Sequence, residues 1–122
     1  MFLALDPTDS RPVFRQIADE VQRSIATGIL KPHDPLPAAR QLAADVKVNT
    51  NTVQHAYKVL EAEGSVYVKR GLGTFVAVRQ ALSPARQSVV ARQIAEKMLR
   101  EAYRHGVLAS ELLTALQSLV PR

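Results

Sequence analysis

Cysteine and tryptophan are absent from the 122 residues. Without cysteine there is no disulfide framework and no thiolate-based zinc site. The three histidines, His33, His55 and His105, are scattered and lack the spacing of metal ligands. No apolar run reaches the ~18 residues of a membrane span, and no signal-peptide pattern is present. These absences lead us to expect a soluble, cytoplasmic protein with no metal and no membrane partner. Catalytic apparatus is missing as well: no nucleophile–base–acid set stands out, and there is no phosphate loop of the P-loop or Rossmann type. Neither enzymatic activity nor a cofactor is expected.

Acidic charge is also in short supply. Sixteen Lys and Arg face eleven Asp and Glu, a formal net charge of +5. The excess is mild on both sides of residue 79, ten against eight before it and six against three after it. Such a balance suits nucleic acid without requiring it. The partner must be read from the order of elements.

Residues 2–5, "FLAL", read as a short strand, broken by "DPTDSRP". Pro12 suits the first turn of a helix whose stripe is Val13, Phe14, Ile17, Val21 and Ile25, with Gly28 ending it. "ILKPHDPLP" holds three prolines and cannot be helical throughout. A second helix starts near Pro37, with Leu42, Ala39, Ala43 and Val46 on its buried face and Arg40, Ala44 and Lys47 opposite. After a turn at "KVN", a third helix carries Val53, Ala56, Tyr57 and Leu60 inward and closes at Gly64. Asn51, His55 and Lys58 stand on its other side, with Gln54 beside them. The period then changes from helical to alternating: "SVYVKR" and "TFVAV" flank "GLG" and read as a hairpin with Lys69 and Arg70 at its tip. A linker near "ALSPA" leads to a helix over 85–104, then "SELLTALQSLV" forms a last short helix after Gly106.

The first of these helices, the close pair that follows it and the hairpin describe a winged helix-turn-helix. The expected fold is mostly α with a small β wing over residues 1–79, followed by a short two-helix dimerisation tail over 80–122. In that arrangement the third helix enters the major groove and reads bases from its N-terminal residues. The run Asn49, Thr50, Asn51, Thr52 suits this. Short polar side chains cap the helix while its free N–H groups meet phosphate, and they hydrogen-bond to base edges without blocking approach. On this reading Asn49 or Thr50 caps, and Asn51, Thr52 and His55 face the bases. Taken singly, each feature is an ordinary cap, solvated face or hairpin end; their coincidence on one triad favours DNA.

Residues 10–77 resemble the winged-helix domain of the GntR family of bacterial transcription regulators. The resemblance is carried by "RQIADEVQRSI", "LP-x-x-R-x-LA", "VN-x-NTV", "AY-x-x-LE-x-EG" and "G-x-GTFV", and the "DP-x-x-S" and "N-x-NTV…AY" pieces are similar to its YtrA branch. It implies DNA contacts at Arg40 in helix two, at Asn49, Thr50, Asn51, Thr52 and Gln54 in helix three, and at Arg70 and Gly71 in the wing. It also implies departures. Thr50 and Gln54 stand where many relatives outside this branch have Arg, so an operator containing A·T pairs is expected, and His33 stands where Gly is usual. Leu108 occupies a position where a capping Ser or Thr is common.

The tail of about 45 residues is too short for the aminotransferase-like domain of the MocR branch. Two amphipathic helices need a partner, and the simplest is a second copy, through Val90, Ile94, Met98, Leu112, Leu116 and Leu119. The resulting expectation is a homodimeric repressor on an inverted-repeat, double-stranded operator, with a transporter operon as the target the resemblance implies and a small-molecule effector as a further partner. The alternative is a winged-helix module that docks proteins without specific DNA binding.

Overall fold

The computed structural model describes residues 5–78 and 82–120, and the chain divides into two compact units, residues 1–79 and 80–122. The expected strand at "FLAL" lies outside the described residues except for Leu5, which is half-buried against the core.

In the first unit, α1 (Val13–Ala26) begins behind Pro12 and is closed by Gly28 at φ +81°. Ile17 and Val21 are fully buried, but Val13, expected on the same stripe, is 38% exposed. It occupies the first helical position, where no neighbouring element covers it. The polar residue Gln16 is buried instead, and its carboxamide staples the preceding arm to the helix. Its Oε1 accepts from the Asp6 backbone N–H at 3.1 Å, and its Nε2 donates to the Arg11 carbonyl at 3.1 Å. Buried polar groups need such partners.

α2 (Ala39–Val46) starts two residues later than Pro37 and buries Leu42 and Ala43. It ends at Lys47, which takes the left-handed conformation at φ 60° and turns the chain toward α3 (Thr50–Ala62). α3 contributes Val53, Ala56, Tyr57 and Leu60 to the core. The Tyr57 hydroxyl donates to the Pro37 carbonyl at 2.7 Å, and burial pushes its pKa up. Ser24, also fully buried, leaves its Oγ without a partner among the described residues.

The hairpin pairs β1 (Val66–Lys69) with β2 (Gly73–Val76), antiparallel, from Val66 opposite Val76 to Lys69 opposite Gly73. A third extended segment joins it, which the sequence did not announce. Within "KPHDPLP", the His33 N–H donates to the Val76 carbonyl at 2.8 Å and the Leu36 N–H to Thr74 at 2.8 Å, while Val76 donates back to Asp34 at 2.9 Å. Pro32, Pro35 and Pro37 have no N–H to give, and the two donors that do bond to β2 lie between them. This is the edge position where proline is tolerated in a sheet. His33 takes φ +69°, the conformation Gly would adopt with ease, and its Nδ1 lies 2.8 Å from the Tyr67 hydroxyl.

In the second unit, Ser83 caps α4 (Pro84–Arg104) and Pro84 opens it, so the expected "ALSPA" linker is already helical in part. Its Ala81 lies outside the described residues. Gly106, at φ +73°, precedes α5 (Ala109–Leu119). Leu108 at the N-cap has no acceptor to offer, and half of a reciprocal cap remains: Glu111 Oε1 accepts from the Leu108 N–H at 3.0 Å. Met98, Leu112 and Leu116 line shallow apolar clefts between α4 and α5. Among the described residues, no helix is long and apolar enough to cross a membrane.

Candidate nucleic-acid interface

The polar run before α3 resolves into separate tasks. Asn49 is the cap: its Oδ1 accepts from the Asn51 N–H at 2.8 Å, and its carbonyl accepts from Thr52 at 3.0 Å. Thr50 and Thr52 are half-buried at the helix start, while Asn51 and Gln54 are exposed. Among the described residues the Asn51 side chain makes no hydrogen bond, so its carboxamide is available from the first turn of the helix. An exposed N-terminal turn also presents N–H groups and the positive end of the helix dipole.

Gln54 and Lys58 lie one turn apart on the side of α3 that faces the wing. With Tyr57 they line an open groove, whose other walls are residues 36–39, leading into α2, and residues 72–74 of the wing. Arg40, exposed, follows directly on this wall in the first turn of α2. Ala38 at the N-cap of α2 offers no side-chain acceptor, so no capping bond covers the first N–H groups of that helix.

His55 departs from the expected ridge. Its ring stacks on Phe14 of α1, with centroids 3.9 Å apart and planes 21° from parallel. The Arg15 guanidinium lies 5.5 Å from the same Phe14 ring. One residue is 100° around a helix, enough to send Gln54 toward the wing and His55 toward α1. His55 thus makes a packing contact with α1 while remaining exposed, so Asn51, His55 and Lys58 do not share one set of neighbours.

The wing tip is also redistributed. Lys69 closes the last ladder pair opposite Gly73, below the tip, and the loop itself is Arg70, Gly71 and Leu72. The Leu72 N–H donates to the Lys69 carbonyl at 2.9 Å. Gly71 at φ +79° and Gly73 at φ +127° permit the reversal, which side chains with a Cβ resist. Leu72, passed over in the sequence, is 73% exposed at this tip. Its position in "GLG" was visible, but nothing in the pattern distinguished it from a strand residue turned inward.

In the tail, Val90, Met98, Leu112 and Leu116 are half-buried within the unit. Met98, Leu112 and Leu116 serve the α4–α5 packing, whereas Ile94 at 53% and Leu119 at 55% stay exposed, joined by Leu99 and Leu113. The apolar surface left over is thus only partly the one expected.

Comparison with known proteins agrees with this geometry. Residues 14–76 match the model of the gntR family of bacterial regulatory proteins. The chain is 33% identical over 112 residues to the HTH-type transcriptional repressor YtrA of Bacillus subtilis, spanning 90% of this chain and 85% of that protein. A transcriptional regulator from Oenococcus oeni has a similar structure, with a TM-score of 0.61 at 31% identity, covering 97% of this chain and 98% of that one. The DNA-binding domain of AraR, solved in complex with operator ORX1, gives a TM-score of 0.55 at 28% identity over 62% of this chain and 93% of that one. The family match over residues 14–76, the identity to YtrA along most of both chains and the winged-helix geometry lead to one assignment: the chain belongs to the gntR family of bacterial regulatory proteins, as a winged-helix, DNA-binding transcription regulator of the YtrA branch.

Proposed function

We propose that the protein is a homodimeric repressor that binds an inverted-repeat operator. Residues 1–79 hold the DNA and residues 80–122 join two copies. The observation that carries this reading is the division of labour at the start of α3. Because Asn49 caps the helix, Asn51 and Gln54 are left exposed to address base edges, beside a groove that Lys58 and the wing enclose. Asn pairs bidentately with adenine, so an operator containing A·T pairs follows. Thr50 and Thr52 frame these contacts, Arg40 meets phosphate beside the groove, and Lys69, Arg70 and Gly71 follow the backbone into the adjacent minor groove. His55 acts indirectly, by fixing α3 on α1.

The repressor assignment is supported by the name of the Bacillus subtilis relative, and the operator by the AraR complex. Dimerisation is supported by the exposed apolar residues Ile94, Leu99, Leu113 and Leu119 on two helices that bury little of their own surface. A small-molecule effector would act by binding one spacing of the two recognition helices more tightly than another. The shallow clefts between α4 and α5 offer it an apolar seat. Control of a transporter operon would fit the YtrA branch.

The test is binding to the DNA immediately upstream of the protein's own gene, against a scrambled duplex, across a salt series. Two chains per duplex with a preference that survives moderate salt is the expected result. Equal binding to both duplexes that vanishes with salt would leave only a basic surface, and would favour the protein-docking reading.

A further inference from the structure

We propose that Leu72 is a specificity-determining residue, an apolar tip that enters the minor groove and selects against G·C pairs there. The inference rests on the DNA-binding reading above and adds to it a residue and a mode of discrimination.

Leu72 is 73% exposed, as the last residue of the three-residue loop that ends the wing. Gly71 and Gly73 flank it. Apart from the residues next to each glycine in the chain, no atom lies within 4 Å of where their Cβ atoms would be, so nothing else crowds the loop on either side of the leucine. A narrow tip of this kind suits a groove about 6 Å wide. The surroundings indicate which partner it meets. Residues 65–78 carry Lys69 and Arg70 and no acidic residue, so the leucine is borne on a cationic hairpin. Leu72 also forms one wall of the groove that Lys58 and Gln54 line from α3. A phosphate backbone passing between α3 and the wing would have the leucine on its minor-groove side. A polyanion with an apolar trough matches both the charge and the side chain; the minor groove, walled by sugars, is such a trough.

The discrimination follows from hydrogen bonding. In the minor groove A·T and T·A pairs present only acceptors, while G·C adds the guanine N2 amino group. That group projects into the space a leucine would fill, and leucine cannot accept its hydrogen bond. Burying an unpaired donor is costly. Replacing guanine by inosine removes the amino group and leaves the major-groove face of the pair unchanged, so it isolates this effect.

The experiment selects a high-affinity duplex from a random pool with the full-length wild-type protein, then locates the wing contacts by hydroxyl-radical footprinting. Wild-type, L72A, L72K and R70A proteins are then compared on that duplex and on versions carrying A·T, G·C or I·C at the wing-contacted steps. For the wild type, G·C should bind about tenfold more weakly than A·T, with I·C close to A·T. L72A should lose about tenfold on the selected duplex, bind G·C and I·C alike, and keep the wild-type salt dependence, because no cation has been removed. R70A should instead lower the salt slope by about one. L72K, which keeps the reach but adds charge, should bind all duplexes more evenly. Since the side chain is exposed, circular dichroism should show all variants folded. Equal affinity of wild type and L72A on every duplex, or indifference of the wild type to G·C against I·C, overturns the inference alone. A wild-type protein that selects no sequence overturns the DNA-binding reading itself.

Discussion

Asn49 and Asn51 are the same amino acid two positions apart, and they do opposite things. Asn49 turns its oxygen inward onto a backbone N–H; Asn51 keeps its whole carboxamide outward. Replacing Asn51 by Ala should therefore leave the melting temperature nearly unchanged while costing about 1–3 kcal/mol of specific binding and relaxing preference at one operator position. Equal losses on operator and random DNA would show that Asn51 does not read a base. Asn49→Ala should do the reverse in part, destabilising the fold by about 1 kcal/mol through the lost cap, measured by urea titration. Two further residues bear on stability alone. Ser24 buries a hydroxyl that finds no partner among the described residues, so Ser24→Ala should be neutral or stabilising by about 1 kcal/mol, whereas a clear loss would mean the hydroxyl is satisfied. Lys47 sits at φ 60°, where glycine has no Cβ to clash; Lys47→Gly should stabilise by up to about 1 kcal/mol, a rise in melting temperature of several degrees.

Helices proved easy to see from their periodicity because each presents a strong apolar stripe and a clear stop: Gly28, Gly64 and Gly106 all take positive φ just past a helix end. The pairing of β1 with β2 was equally open, since alternation and a glycine-flanked turn fix it. Periodicity is blind to what lies outside an element's own pattern. The extended segment at residues 33–36 has no alternation and lies among three prolines, Pro32, Pro35 and Pro37, and it is held by a partner some forty residues away. Likewise nothing along α3 reveals that His55 leans on Phe14, because that contact depends on how α1 crosses α3. Of the candidate site, the exposed polar start of α3 and the hairpin of the wing were legible as structure; the groove between them and the neighbours of each side chain were not. At this scale the helix-two contact is also testable. Arg40→Ala should weaken operator and random DNA by similar factors and lower the salt slope by about one. A change confined to the operator would make Arg40 a base contact.

For the whole molecule the question is which part holds two copies together. Removing residues 85–122 should leave a folded monomer that binds one half-site weakly, read by analytical ultracentrifugation and a binding titration; a truncated chain that still sedimented as a dimer would place the interface in the first unit. The wing raises a separate issue. A two-stranded hairpin on its own is marginal in water, yet here the amides of His33, Leu36 and Val76 tie it to the stretch between α1 and α2. These amides should exchange with deuterium only as slowly as the core of α3, because releasing them means opening the unit as a whole. Most of the ordering entropy of the wing is therefore already spent in folding. DNA would meet a preset tool rather than a flexible finger, and the heat capacity change on binding should reflect rigid docking with little coupled folding.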